Sequence, residues 1–261
     1  MLKSPSLFVS LVLSACAMPD TVPDSLRHEF APTGRLRAGI NLGNPVIAQK
    51  DPAGGAPRGV GPDLARELAK RLGVGITYVT YDTAGKLADG VRAEAWDVAF
   101  LAGEPERAQE IAFSAPYVQI EGTYMVRKDS PLRSVGDVDR AGVRVAVGSK
   151  TAYDLFLTRN LKHAELVRSP TSLDAIAAFR EDASLGACAG VRQTLLMAAQ
   201  KDAELRVMDD AFQVIRQASG VPKGRPAAAR YLAAFIDEMK ASGFVKRALE
   251  ASGNGDVTVP K

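Results

Sequence analysis

The chain has 261 residues, 46% of them hydrophobic and 24% charged, and its 33 basic and 30 acidic side chains leave a formal net charge of +3. These are ordinary values for a soluble globular protein, and the length suits one large domain or two lobes with separate cores. The charges are spread along the chain, with no low-complexity tract or long repeat, so charge makes no case for nucleic-acid binding.

The chain opens on MLKSPSLFVSLVLSACAMPD. One lysine precedes the short apolar run Leu7–Leu13, the pattern of an export signal and too short for a stable bilayer span. Leu13-Ser14-Ala15-Cys16 resembles a bacterial lipobox, which makes residues 1–15 a lipoprotein-type signal peptide and Cys16 the lipidated first residue. The competing reading is an ordinary cut after Ala17, since Ala15-Cys16-Ala17 also fits A-x-A; the product is then a secreted soluble periplasmic protein. With Cys16 acylated, Cys188 stands alone and no intrachain disulfide is possible. Its surroundings, LGACAGV, suit a buried small hydrophobe. Residues 16–33 carry three prolines and little periodicity, and read as a tether.

From Arg35 the pattern is α/β. LRAGI (36–40) is a short strand that ends in the turn-rich Asn41-Leu42-Gly43-Asn44-Pro45, and residues 52–61 form a Gly/Pro loop. Leu64, Leu68 and Leu72 recur at helical spacing with Ala65 and Ala69 beside them, between Pro62 and Gly73, and predict a helix over 62–73. No G-x-G-x-x-G or Walker spacing precedes it, so no nucleotide site is expected. Strand 76–81, a helix over 84–94 and a buried strand over 96–102 follow, with Trp96 and Phe100 as core. Residues 122–131 form a longer strand.

A second α/β unit then begins. Strands fall at 143–147, 164–170, 185–191 and 205–210, and helices at 148–161, 172–182 and 192–202. A long strand over 212–220 matches 122–128 in length, and the pair reads as a two-stranded hinge between two lobes. Residues 226–253 are helical, with Tyr231, Phe235, Met239 and Leu249 as the apolar stripe.

AGEPERAQEIAFSAPY (102–117) leaves the C-terminal end of strand 96–102, where ligand crevices form in open α/β sheets. Pro105, Glu104 and Glu106 suit the first turn of a helix, but Arg107 there opposes the helix dipole. Its two explanations are an anion held between the guanidinium and the helix N-terminus, or a structural salt bridge to Glu104 or another acid.

The order and spacing of several pieces resemble bacterial extracellular solute-binding proteins of family 3, the amino-acid-type receptors of ABC importers. The pieces are G-x-x-x-DLA-x-x-LA-x-x-LG at 59–73, WDVAF at 96–100, PER-x-x-x-IAFSAPY at 105–117, VRKDSPLRSVGDV at 126–138, GSKT at 148–151 and ASGF at 241–244. The resemblance spans roughly residues 34–253. It implies an α/β, type II periplasmic-binding-protein fold of two lobes joined by two hinge strands. Lobe 1 is then 34–124, lobe 2 is 125–215, and 216–261 returns to lobe 1 with the C-terminal helices. It also implies a monomer in the periplasm or cell envelope, a membrane permease as partner, closure around a small ligand, and no cofactor, metal or nucleic acid.

The resemblance further gives Arg107 the ligand's carboxylate. This chain departs from the family around it. Glu104 stands where a hydroxyl assists, with Ala102 two positions before. Run 186–192, GACAGVR, lacks the acid that holds an α-ammonium; Gly190 or Val191 occupies its place and Arg192 follows, so the ammonium pocket is missing unless Glu104 or Glu121 replaces it. The first loop offers Asn41 and Asn44 rather than an aromatic ring; they either bond a polar ligand or only serve the turn. Ser149 and Thr151 open a second-lobe helix, Thr151 either facing the ligand or capping the helix. Tyr153 faces the cleft or packs. The expected function is an ABC-importer receptor for a small polar carboxylate, an amino acid or a relative. The alternatives are a cyclohexadienyl-dehydratase-like periplasmic enzyme or a non-transport sensor. His28 and His163 lie outside the expected cleft, and no Ser-His-Asp order or metal spacing is visible.

Overall fold

The computed structural model describes residues 22–261; the export segment, Cys16 and the start of the expected tether lie outside the described residues. Helix α1 (Asp24–Phe30) occupies the remainder of that tether. A seven-residue helix is not stable by itself in water. Docking holds it: Phe30 is fully buried and meets Tyr231 edge-on at 5.9 Å. Arg27 Nε donates to the Leu72 carbonyl at 2.9 Å, and the Glu29 carboxylate accepts from the Ala228 N–H at 2.7 Å. Residues 24–30 therefore belong to the folded body, which corrects the tether reading for that stretch.

In the first lobe, β1 (Arg35–Asn41), β2 (Gly75–Tyr81) and β3 (Val98–Ala102) pair in parallel in the order β2-β1-β3, with crossover helices α2 (Val60–Leu72) and α3 (Ala84–Asp89). The α2 stripe of Leu64, Leu68 and Leu72 is buried, as the spacing predicts. Gly73 ends the helix at φ 67°, a left-handed cap that glycine takes without strain. Helix α3 stops five residues short of the expected end. Trp96 Nε1 takes the Leu87 carbonyl at 2.8 Å, and Gly90 caps the helix.

The short β4 (Ile111–Phe113) and the ten-residue β5 (Val118–Arg127) lead into the second lobe. There β6 (Arg144–Gly148), α4 (Ala152–Asn160), β7 (Glu165–Ser169), α5 (Ser172–Glu181), β8 (Ala187–Val191), α6 (Arg192–Ala199) and β9 (Leu205–Val207) precede the second long strand, β10 (Gln213–Pro222). Strands β5 and β10 pair antiparallel, with Ile120 opposite Ile215. Beyond that pairing, β5 joins β8 and β10 joins β3. The sheet runs β2-β1-β3-β10-β5-β8-β6-β7, so two α/β halves meet through two long strands. Cys188 is buried in the second-lobe core, and burial pushes its thiol up to about 12.

The tail is two helices, α7 (Pro226–Ala241) and α8 (Phe244–Ala251), rather than one. Gly243 breaks them at φ 73°. Phe235, Met239 and Leu249 are buried, and both helices pack on the first lobe. No helix among the described residues is long and apolar enough to cross a membrane.

Candidate functional site

A cleft between the lobes is lined from the loops beyond the carboxyl ends of β1, β2 and β3 on one side and β6, β7 and β8 on the other. This is where open α/β sheets place ligands. The cavity these loops enclose measures about 40 Å³.

The loop after β1 contributes Asn41 and Asn44. Asn41 Oδ1 accepts from the Gly43 N–H at 2.9 Å, and Asn44 Oδ1 accepts from the Val46 N–H at 3.2 Å. These are Asx turns. Both side chains also line the cleft, and neither amide nitrogen donates to a described protein group. The oxygens hold the turn, and the NH2 groups are left without a protein partner among the described residues. Gly43 is required here, because a Cβ would lie 2.4 Å from the Asp82 carbonyl oxygen.

The stretch after β3 does not form the expected helix. It makes a three-residue 3-10 turn, Arg107–Gln109, because the next residues are drawn into β4, where Phe113 pairs with Gly220 of β10. No helix N-terminus stands beside Arg107 on its own segment. Arg107 is nonetheless 6% exposed and lines the cleft, as does Ala102. Its guanidinium donates to the Ala102 carbonyl at 2.9 Å and, across the cleft, to the Lys150 carbonyl at 3.0 Å. It forms no salt bridge with any described residue. Burial draws its pKa down to about 10, against the upward pull of Glu104, Glu106 and Asp89.

Glu104 does not line the cleft. Its Oε2 accepts from Arg159 Nη2 of α4 at 2.8 Å, and its Oε1 accepts from Gln213 Nε2 at 3.1 Å. Arg159 also meets Glu106. Glu104 makes no salt bridge with Arg107; it joins the lobes beside the cleft, outside the lining. Lys150 adds a second crossing, its Nζ lying 2.8 Å from Asp89. Lys150 has φ 55°, an uncommon value for a residue with a Cβ. Asp154 holds that turn by accepting from the Lys150 N–H at 2.8 Å.

On the second lobe, Thr151 lines the cleft, but its hydroxyl caps α4: it accepts from the Asp154 N–H at 3.1 Å and donates to the Gly148 carbonyl at 2.9 Å. Ser149 lies outside the lining; its N–H bonds the Ser169 carbonyl at 2.9 Å. Arg192 also lies outside. It donates to the Met208 carbonyl at 2.8 Å and the Asp209 carbonyl at 2.9 Å, and pairs with Glu121. That pairing also removes Glu121 as a cleft acid. Tyr153 is both packed and cleft-facing, its hydroxyl sharing a 2.6 Å hydrogen bond with Ser172.

Sequence reasoning missed Gln217, Thr194, Ser172 and Thr83, all in the lining. Gln217 carried a signal, since an isolated amide in the buried half of a long strand needs a polar partner. In sum, the lining holds amides, hydroxyls and one guanidinium, with no Asp, Glu or His. No group of three or more metal-ligating side chains is assembled among the described residues.

Solved structures share this architecture. A mutant of ArgBP from T. maritima aligns at 24% identity over 87% of this chain and 99% of that one, with a TM-score of 0.74. The amino acid ABC transporter substrate-binding protein AbpA from Streptococcus pneumoniae, bound to L-arginine, aligns at 19% identity over 89% and 99%, with a TM-score of 0.74. A solute receptor for L-cysteine of Neisseria gonorrhoeae aligns at 22% identity over 87% and 92%, with a TM-score of 0.75. At these identities the likeness establishes the two-lobed fold. Residues 36–252 match the bacterial extracellular solute-binding proteins, family 3, and the chain belongs to that family.

Proposed function

We propose that the protein is the extracytoplasmic receptor of an ABC importer and holds a small carboxylate-bearing solute between its lobes. The observation that carries this reading is Arg107, a cleft guanidinium almost wholly buried with no carboxylate of its own. A buried charge without a partner is costly, and a ligand carboxylate fits its planar fork. The lobes already touch through Arg107, Arg159 and Lys150, a closed arrangement that a ligand between hinged lobes would favour. The similar receptors for arginine and cysteine bring amino-acid import into view for this chain.

Arg107 and the amides of Asn41 and Asn44 are the assigned ligand contacts, Ala102 shapes the floor, and Thr151 positions α4. The lining offers no carboxylate or imidazole as general base, which favours binding over turnover. The partner on this reading is a membrane permease, and the receptor acts as a monomer. Tethering through an acylated Cys16 rests on the export segment and LSAC, and mass spectrometry of the N-terminal peptide tests it.

A thermal-shift screen of the purified protein tests the receptor assignment. The panel spans amino acids, dicarboxylates, keto acids and polyamines, with Arg107→Ala in parallel. A ligand at a hundred times its Kd stabilises by about 2.7 kcal/mol, a shift of several degrees. Carboxylates should shift the wild type and not the variant. A cationic hit with equal shifts in both would make Arg107 structural.

A further inference from the structure

We infer, resting on the receptor reading above, that the solute is a carboxylic acid without an ammonium group: a 2-oxo or 2-hydroxy acid rather than an α-amino acid. The cleft carries a single formal charge, the Arg107 guanidinium, which one carboxylate neutralises. An ammonium brought in with it would need a second counter-charge, and the surrounding acids are engaged elsewhere. Glu104 and Glu106 hold Arg159, Asp89 holds Lys150, and Asp154 holds Arg168 and the Lys150 N–H. Val191 and Gly190 stand at the cleft end of β8 and offer only backbone and hydrocarbon.

Hydrogen-bond direction points the same way. Asn41 and Asn44 commit their oxygens to their own turns and keep N–H donors for the cleft. A ketone or hydroxyl oxygen accepts from those donors, whereas an ammonium has only donors of its own. Gln217 and Thr194 also line the cleft and make no side-chain hydrogen bond within the described residues. Each can serve a neutral oxygen, and neither supplies charge.

Matched acids of one carbon skeleton isolate the substituent. The probes are pyruvate, lactate and alanine, then 2-oxovalerate, 2-hydroxyvalerate and norvaline, with Kd measured calorimetrically. The oxo or hydroxy acid should bind at least roughly 30-fold tighter than its amino counterpart, because the ammonium is desolvated without a partner. Val191→Asp is the complementary variant. Val191 is the N-cap of α6 and makes no side-chain cap, and aspartate is favoured at N-caps, so the fold should tolerate it. The new cleft carboxylate should reverse the order toward the amino acid. An amino acid that binds the wild type as tightly as its oxo and hydroxy partners overturns the inference and leaves the receptor reading intact. A wild-type order that survives Val191→Asp unchanged, in a variant of normal Tm, overturns the missing acid as its cause. If no carboxylate in the set binds, and Arg107→Ala melts like the wild type in its presence, the receptor reading itself falls and the inference with it.

Discussion

Strand β3 has a buried charge just before its start and another past its end, and the chain treats them differently. Asp97, fully buried, receives Arg37 at 2.8 Å and Arg225 at 3.0 Å. Arg107, nearly as buried, receives no counter-ion. Arg127 is the control between them. It also has no carboxylate, but donates to the Leu185, Phe179 and Asp182 carbonyls around the C-terminal end of α5, and it stacks 4.7 Å from the Phe179 ring. The negative end of a helix and an aromatic face replace the counter-ion there. Where an arginine serves the fold, the fold supplies its partner. At the cleft two carbonyls are all it supplies, and on the receptor reading proposed above the remaining charge awaits a ligand carboxylate.

The largest effect should come from breaking the self-sufficient site. Asp97→Asn strands two arginines, and removing one partner from a buried ionic cluster costs about 3–5 kcal/mol. For a protein of this size that lowers Tm by roughly 6–20 °C. Thermal melts of the ligand-free protein read it directly. A loss of only a degree or two would mean that the cluster is wetter and less important than its geometry indicates.

Arg107→Met sharpens the comparison because its two effects have opposite signs. Without ligand, the Tm should hold or rise slightly, since an uncompensated buried charge is gone and methionine retains much of the packing. With a carboxylate ligand, Kd should weaken by about 100-fold or more, the value of charge-assisted bonds to a buried guanidinium. A ligand-free Tm that falls as far as in Asp97→Asn would erase the distinction between the two arginines.

Much of this arrangement was legible from local pattern. The α2 leucines stand where helical periodicity puts them, because burial on one face imposes a period on the sequence, and β3 stands where an unbroken apolar run puts it. Of the two long strands, β10 lies close to its expected span, whereas β5 begins and ends four residues before the expected 122–131. Arg107 stood out because its charge opposed the dipole of an expected helix that the chain does not form, so the residue drew notice for a reason the fold removes. What local pattern could not carry was partnership. Glu104 finds Arg159 fifty-five residues away, and Arg192 finds Glu121 seventy-one residues away. Those pairings place Glu104 and Arg192 outside the cleft lining, and they exist only after distant segments of the chain fold together. Helix α1 was hidden for a related reason: its stability comes from Phe30 docking and from Arg27 and Glu29 meeting the ends of α2 and α7, not from its own seven residues.

A smaller effect belongs to the contacts beside the cleft. Glu104→Gln weakens the Arg159 crossing without emptying the site of Arg107. The pair is partly exposed on the arginine side, so about 1 kcal/mol of closed-state preference is at stake. Ligand affinity should fall roughly threefold to tenfold through the population of the closed form. Small-angle scattering of the ligand-free variant should show a larger radius of gyration. A hundredfold loss of affinity would mean that Glu104 touches the ligand after all.

The smallest expected effect is a flat line, and it tests the whole electrostatic picture. Burial pushes the Glu106 carboxyl up, but its own backbone hydrogen bond and Arg159 outweigh that and leave its pKa below 4.5. A carboxylate with a lowered pKa contributes stability above its unfolded value and loses it as pH falls through the folded one. The Glu106–Arg159 contact is therefore intact from about pH 5 upward. Arg107 is a base whose pKa burial lowers to about 10, so its charge is lost only as pH rises through that region, and a bound carboxylate moves the loss higher still. A simple carboxylate ligand ionises near pH 4. No imidazole lines the cleft. Between about pH 5 and 9, then, Kd should change by less than about twofold, with weakening confined to the acid and alkaline ends. Calorimetric titration across that range measures it. A tenfold slope near neutrality would require a titrating group at the ligand that neither Arg107 nor the flanking acids supply, and would detach ligand recognition from the uncompensated arginine.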